Sequence, residues 1–213
     1  FMHAEGKKLT FVATDGRRLS KVDRTMEKVL QLGKGIIVPG KAIRELMKVI
    51  EPDQNCDIHY SASDQRLFFR AGNIQLQTRL IEGNFPDYKQ VIPSQVGATA
   101  TINRQQLENS IRKVAVVAID ASRQIQFDVK KDQLHLRSAT PDLGRGDNSL
   151  PCQYAGDAMS IAFNSIYIQD ILKIIEADEI RIGFTSASSP AIVMDPGDSE
   201  FLAVVMPMKL DAA

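Results

Sequence analysis

Residues 36–51, IIVPGKAIRELMKVIE, line up with residues 161–176, IAFNSIYIQDILKIIE, at a shift of 125 positions. Ile43, Glu45, Leu46, Met47 and Lys48 meet Ile168, Asp170, Ile171, Leu172 and Lys173. Downstream, IHYS at 58–61 meets IGFT at 182–185 at a shift of 124, and upstream KLTF at 8–11 meets QLHL at 133–136 at 125. Three blocks in one order and nearly one register signal an internal duplication. The second copy opens on a strand at 98–102 and a helix from Asn103, whose equivalents in the first copy fall before residue 1. The chain is therefore expected to lack the first strand and helix of copy one and to leave apolar surface uncovered there.

Short alternating segments at 9–13, 65–69, 74–80 and 98–102 read as strands, separated by the turn pairs Asp15-Gly16, Pro39-Gly40, Gly83-Asn84 and Pro196-Gly197. Together with the helical segments they predict an α+β fold. The Pro-bearing stretch 82–97 is the expected connection, which gives domains at 1–95 and 96–213. In helix 41–50, Ile43, Leu46, Met47 and Ile50 recur at i, i+3, i+4, i+7 and predict a core stripe, with Lys41, Arg44, Glu45 and Lys48 opposite. Helix 104–118 has the stripe Leu107, Ile111, Val114, Ala118, and helix 166–175 has Ile168, Ile171, Leu172, Ile175. Asn103 with Gln106 suggests a start resembling a capping box. The basic helix faces fit either a solvated surface or non-specific phosphate contacts, and pattern alone leaves both open.

The 213 residues contain 26 Lys plus Arg and 26 Asp plus Glu, a formal net charge of zero, so any role on DNA requires uneven placement of charge. Low aromatic content without Trp argues against a stacking platform for single strands. Cys56 and Cys152, far apart and outside any CxxC, read as buried small hydrophobes in a reducing compartment. With three scattered histidines, no metal site is expected. No apolar run reaches the roughly 18 residues of a membrane span, and a cytoplasmic location is expected. No GxxxxGK[ST], GxSxG, HExxH or GxGxxG motif is present, and no cofactor or catalytic residue is expected. Asp15 follows a strand, as a catalytic carboxylate often does, but it lacks a second acid or base at motif spacing and reads as a turn residue. Asp87, beside Pro86, reads the same way.

Three blocks carry a resemblance over essentially the whole chain: FVATDGRRLS at 11–20, EGNFPDYKQVIP at 82–93 and FLAVVMPMKL at 201–210. Together they closely resemble the bacterial DNA sliding clamps, the beta subunits of DNA polymerase III. The resemblance implies most of the second and all of the third of three similar domains, each with two helices packed on antiparallel sheets. In that family two subunits join head to tail into a ring around duplex DNA, a non-catalytic processivity factor. Polymerase, clamp loader and repair proteins dock short linear peptides, with a Gln and paired hydrophobic residues, between the second and third domains.

Matching the family's motifs places Thr14, Gly16, Arg17, Arg18, Leu19, Pro86 and Val91 on one side of that peptide site. Asn164, Tyr167, Ser188, Pro190, Val204, Met206, Pro207, Met208, Lys209 and Leu210 fall on the other. Met and Val walls suit varied apolar anchors. Lys41, Arg44, Lys48, Arg104 and Arg112 are the expected non-specific DNA contacts, and Val116 and Val117 match the subunit interface. The full-length protein is expected to be a homodimer and this chain a monomer. Arg17, Pro190 and Lys209 stand where the family often has His, Ser and Arg, which is expected to shift peptide preference. Residues 211–213, beyond the family's usual terminal Leu, are expected to bear on the cleft.

Overall fold

A computed structural model describes residues 1–51, 54–118, 122–140 and 144–210; the expectation for residues 211–213 lies outside them. Backbone contacts divide the chain into two units: Phe1–Ala13 with Val22–Asp87, and Thr14–Lys21 with Tyr88–Ala213. The division falls after Asp87, inside the stretch read as a connection, and the turn after the second strand is counted with the second unit.

β1 (Met2–Glu5), β2 (Lys8–Thr14) and β3 (Arg18–Thr25) lie in that order in one sheet, in the first unit except for Thr14 and Arg18–Lys21, which belong to the second. α1 (Gly40–Val49) follows, then β4 (Asp57–Ser61), β5 (Arg66–Ala71) and β6 (Ile74–Arg79), an antiparallel three-stranded sheet. Met2 and Ile36 exchange backbone hydrogen bonds at 2.8 Å in both directions. Leu9, Leu67 and Phe69 are buried with Met2 in this unit's core.

The second unit runs β7 (Ala98–Asn103), α2 (Arg104–Ala115), β8 (Gln124–Lys130), β9 (Gln133–Thr140), β10 (Gly144–Pro151), β11 (Gln153–Tyr154), β12 (Met159–Asn164), α3 (Ser165–Leu172), β13 (Glu179–Phe184), β14 (Ala191–Asp195) and β15 (Asp198–Val205). One sheet has the order β10-β9-β8-β12, and another places β11, β7, β13, β14 and β15 side by side. On β8, Ile125, Phe127 and Val129 are buried while Gln126 and Asp128 are less so, the period of two that sends alternate side chains to opposite faces. Leu107 and Ile111 of α2, Leu172 of α3 and Val193 of β14 join the same core. Each such side chain contributes about 1.5–3 kcal/mol of burial.

The duplication is visible in the element bounds. β2 and β9, α1 and α3, and β5 and β14 begin 125 positions apart. The Met2–Ile36 bridge of the first unit reappears at the same shift as the Phe127–Ile161 pair of β8 and β12. β7 and α2 have no counterpart among the described residues of the first unit.

That difference corrects the reading of the first helix. Of α1's residues only Ala42 is buried; Ile43 and Leu46 are half-buried, and Met47 is 74% exposed. In the second unit α3 packs against α2, whereas no second helix stands beside α1 among the described residues of its unit. An apolar stripe marks a side that buries well; it does not supply the neighbour that covers it.

The other stripes are buried as expected, but both helices stop early. α2 ends at Ala115, where the β-branched pair Val116-Val117 follows, although Ala118 remains buried. α3 ends at Leu172, where the Ile174 N–H bonds back only three residues to Ile171, and Ile175 is still buried beyond it. Asn103 accepts the Gln106 N–H at 2.9 Å, half of a capping box. Cys152 is buried, but Cys56 is only half-buried. Among the described residues no helix is long and apolar enough to cross a membrane.

Candidate functional site

The Asp-Gly turn between β2 and β3 is held by its own side chains. Asp15 Oδ1 accepts the backbone N–H groups of Arg17 at 3.0 Å and Arg18 at 3.1 Å. Thr14 Oγ1 donates to the Arg18 carbonyl at 2.7 Å and accepts the Gly16 N–H at 3.1 Å. Gly16 has φ 83, a region that costs a glycine nothing and strains a residue with Cβ. Asp15 Oδ2 takes the Arg18 Nε–H at 3.1 Å, so both carboxylate oxygens are engaged in ordering the loop.

This turn presents Arg18 to α3. Arg18 Nη1 donates to Asp170 Oδ2 at 2.8 Å, and its guanidinium lies 4.5 Å from the centre of the Tyr167 ring. Such a cation–aromatic contact is worth about 0.5–1 kcal/mol at an accessible site. Lys173 Nζ reaches the other oxygen of Asp170 at 2.9 Å. At the start of α3, Asn164 Oδ1 caps the Ile166 N–H at 2.9 Å and Asn164 Nδ2 donates to the Ser122 carbonyl at 3.0 Å. Asn164 is thus occupied in capping as well as lying near Tyr167 in sequence.

The hydrogen bond from Arg18, outweighing partial burial, holds the Asp170 carboxyl below its ordinary value, with Lys173 adding to the effect. For Asp15 burial acts upward, and the Arg17 and Arg18 N–H groups overcome it to lower the pKa. A lowered carboxylate pKa means the pairing is fully present above the ordinary value and is lost as pH falls through the lowered one. In a carboxyl-carbon NMR titration Asp170 is expected to have its midpoint below the usual Asp value of about 3.9, and Arg18→Ala is expected to raise it. A wild-type midpoint at or above the usual value would contradict the pairing.

The end of the chain runs beside the same turn. The Met206 N–H donates to the Arg17 carbonyl at 2.9 Å, and the Met208 N–H to the Ala162 carbonyl of β12 at 2.8 Å. Along β15, Ala203 and Val205 enter the core, so Val204 faces the other side of the sheet, level with Ile192 of β14. Beyond the strand, Met206 and Leu210 are exposed, while Pro207 and Met208 are half-buried. One body of the protein therefore brings together segments 14–19, 164–173 and 204–210.

Two family profiles cover this chain: DNA polymerase III beta subunit, central domain, over residues 1–87, and DNA polymerase III beta subunit, C-terminal domain, over residues 89–209. The chain belongs to the DNA polymerase III beta subunit family. The beta sliding clamp of Chlamydia muridarum is 30% identical over 95% of this chain and 54% of its own length, and that of Synechocystis is 30% identical over 96% and 56%. The chain thus spans about half the length of these curated relatives. Among solved structures, the sliding clamp of Bartonella birtlesii bound to griselimycin matches with TM-score 0.92 and 31% identity over 98% of this chain and 57% of that one. The Pseudomonas aeruginosa clamp bound to griselimycin matches with TM-score 0.90 and 26% identity over 98% and 56%.

Other positions singled out for the beta-subunit site are more scattered. Val91 is exposed in a 3-10 turn, Tyr88–Val91, and Pro86 is exposed in the first unit. Ser188 is exposed in a turn where Ser186 and Ser189 hydroxyls meet at 2.7 Å, with Pro190 half-buried after it. Leu19 and Val204 are buried and present no free surface. Arg17 and Lys209 are exposed. The sequence pattern favours a turn over a catalytic role for Asp15, puts Lys173 on the polar side of its helix, and gives neither Asp170 nor Lys173 a place in the site. A partner 152 positions away leaves no local signal.

Of the basic residues, Lys41, Arg44 and Lys48 project from α1 into solvent, with Lys48 paired to Glu45 at 2.9 Å. Arg112 is exposed and paired to Glu108 on the same helix. Arg104 is half-buried and its Nε donates to the Ala177 carbonyl at 2.9 Å, which ties α2 to the loop before β13. Val116 is 70% exposed just past α2, and Val117 is half-buried with its carbonyl accepting the Thr140 hydroxyl.

Two cavities among the described residues are lined without Arg18. One of about 480 Å³ lies among Phe1, Gly35, Tyr60 and Phe85 of the first unit, and one of about 540 Å³ among Thr101, Asp132 and Tyr154 of the second. A shallow surface for an extended peptide need not enclose volume. Among the described residues no group of three or more His, Cys, Asp or Glu is arranged to hold a metal ion.

Proposed function

We propose that this chain is part of a sliding clamp, a non-catalytic processivity factor that encircles duplex DNA and tethers polymerase, clamp loader and repair proteins through a peptide groove. The single observation that carries the reading is the Met206-to-Arg17 backbone bond at 2.9 Å. It joins the two motif blocks, 11–20 and 201–210, that distinguish the family. Arg18, Tyr167, Met206, Met208 and Leu210 form the heart of the groove in this reading: a flat cation on an aromatic ring beside adaptable apolar side chains. Thr14, Gly16, Arg17, Leu19, Pro86, Val91, Asn164, Ser188, Pro190, Val204, Pro207 and Lys209 support or flank it. Domains at 1–95 and 96–213 belong to the same reading.

Lys41, Arg44, Lys48 and Arg112 serve as sequence-independent phosphate contacts, and Arg104 does so less, because it is bonded to Ala177. Val116 and Val117 belong to the subunit interface of the full-length homodimer. This chain alone is monomeric in the same reading, and a light-scattering mass of two chains per particle would count against it.

The direct test is a titration by fluorescence anisotropy. A fluorescein-labelled peptide carrying a Gln and a Leu-Phe pair is added to the parent chain and to a variant combining Arg18→Ala with Met208→Ala. The variant is expected to bind at least about thirtyfold more weakly, as loss of central anchors does. Equal binding by both defeats the assignment.

A further inference from the structure

We infer that Asp170 is a positioning residue of the groove: together with Asp15 it neutralises and orients the Arg18 guanidinium, so that the groove receives an uncharged amide or main-chain carbonyl at Arg18 and disfavours a carboxylate there. The inference rests on the peptide-groove reading above.

A guanidinium has five N–H donors in a rigid plane. In Arg18, Nε donates to Asp15 at 3.1 Å and Nη1 to Asp170 at 2.8 Å, and one face lies against Tyr167. The remaining donors have no partner among the described residues and are held in a fixed direction. An arriving carbonyl meets N–H groups already aimed. An arriving carboxylate meets the same donors flanked by two carboxylates, and with Lys173 on Asp170 the four charges sum to zero. The attraction that would draw an anion to a lone arginine is therefore largely cancelled.

The internal repeat shows what is particular to this place. Glu45 in the first unit occupies the position equivalent to Asp170, and its Lys48 partner, at 2.9 Å, corresponds to Lys173, also at 2.9 Å. Both copies carry the helical acid–lysine pair; at Asp170 an arginine from 152 positions away is added. The partners of that added pair are about a third exposed, the class of ion pair that adds little to folding. Stability does not account for it, whereas orientation of Arg18 does.

The test uses two fluorescein-labelled peptides of equal length, each with a Leu-Phe pair, one carrying Gln and the other Glu in its place. Each is titrated against the parent chain, Asp170→Asn, Asp170→Glu and Glu45→Gln. The parent is expected to prefer the Gln peptide by about tenfold. Asp170→Asn is expected to weaken the Gln peptide by about three- to tenfold and to shrink the Gln-over-Glu ratio by a similar factor, with the melting temperature unchanged. Asp170→Glu, which keeps the charge, is expected to retain the ratio, and Glu45→Gln to leave both affinities as in the parent. An unchanged ratio in Asp170→Asn overturns the inference. Arg18→Ala separates the two levels: if it leaves the Gln peptide unaffected, the groove reading falls, and if it weakens binding while Asp170→Asn does nothing, only the role of Asp170 falls.

Discussion

Leu172→Ala is expected to lower the unfolding free energy by about 2–5 kcal/mol, while Met47→Ala, at the equivalent position of the first copy, is expected to stay within about 0.5 kcal/mol of wild type. The two residues occupy the same place in the duplicated helix and look interchangeable as members of an apolar stripe. Leu172 is 0% exposed and packed with α2 and both sheets, so truncation leaves a cavity as well as lost transfer energy. Met47 is 74% exposed and leaves no cavity. Urea denaturation followed by far-ultraviolet circular dichroism measures both. Similar losses at the two positions would show that α1 is covered in solution, contrary to the burial described here.

The second large effect is expected at Phe163→Ala, about 3–5 kcal/mol by the same measurement. Phe163 is 1% exposed on β12, and its ring meets that of Phe127 edge-on, with centroids 5.3 Å apart and planes at 87°. An edge-to-face pair adds about 0.5–1.5 kcal/mol beyond its buried area. Phe163→Leu, which keeps most of the volume, is expected to lose less than half as much. A loss below about 1 kcal/mol for Phe163→Ala would mean that the core of the second unit closes over the gap, at odds with close-packed interiors.

Much of the architecture was legible because it depends on local periodicity. The repeat shift of 125 recurs in strand starts, helix starts and one backbone bridge. Asn103 and Asn164 both cap helices, as their side chains favour at such starts. The Asp15-Gly16 pair forms the expected turn, because an aspartate accepting backbone N–H groups and a glycine at positive φ are local properties. Helix ends were less legible: turns that tighten to three-residue bonds, at Val117–Ala118 and at Ile174, close α2 and α3 earlier than the apolar spacing suggests.

The candidate site was legible in part. Family motifs brought Arg18, Tyr167 and the Met206–Met208 segment into view, but Asp170 carried no mark apart from its place on a polar helix face. Leu19 and Val204 matched those motifs equally well, yet both are buried.

By itself, the order of residues determined the duplication, the α+β class, the faces of the helices and the chemistry of the β2–β3 turn, since each follows from spacing along the chain; membership of the beta-subunit family rests instead on the identity of the motif residues at 11–20, 82–93 and 201–210. Only the tertiary structure decided that the stripe of α3 is covered while that of α1 is covered only in part, with Met47 left exposed, and that Arg18 is paired with both Asp15 and Asp170. Burial and pairing are properties of neighbours in space, and residues 152 positions apart become neighbours only when the sheets and helices between them have packed.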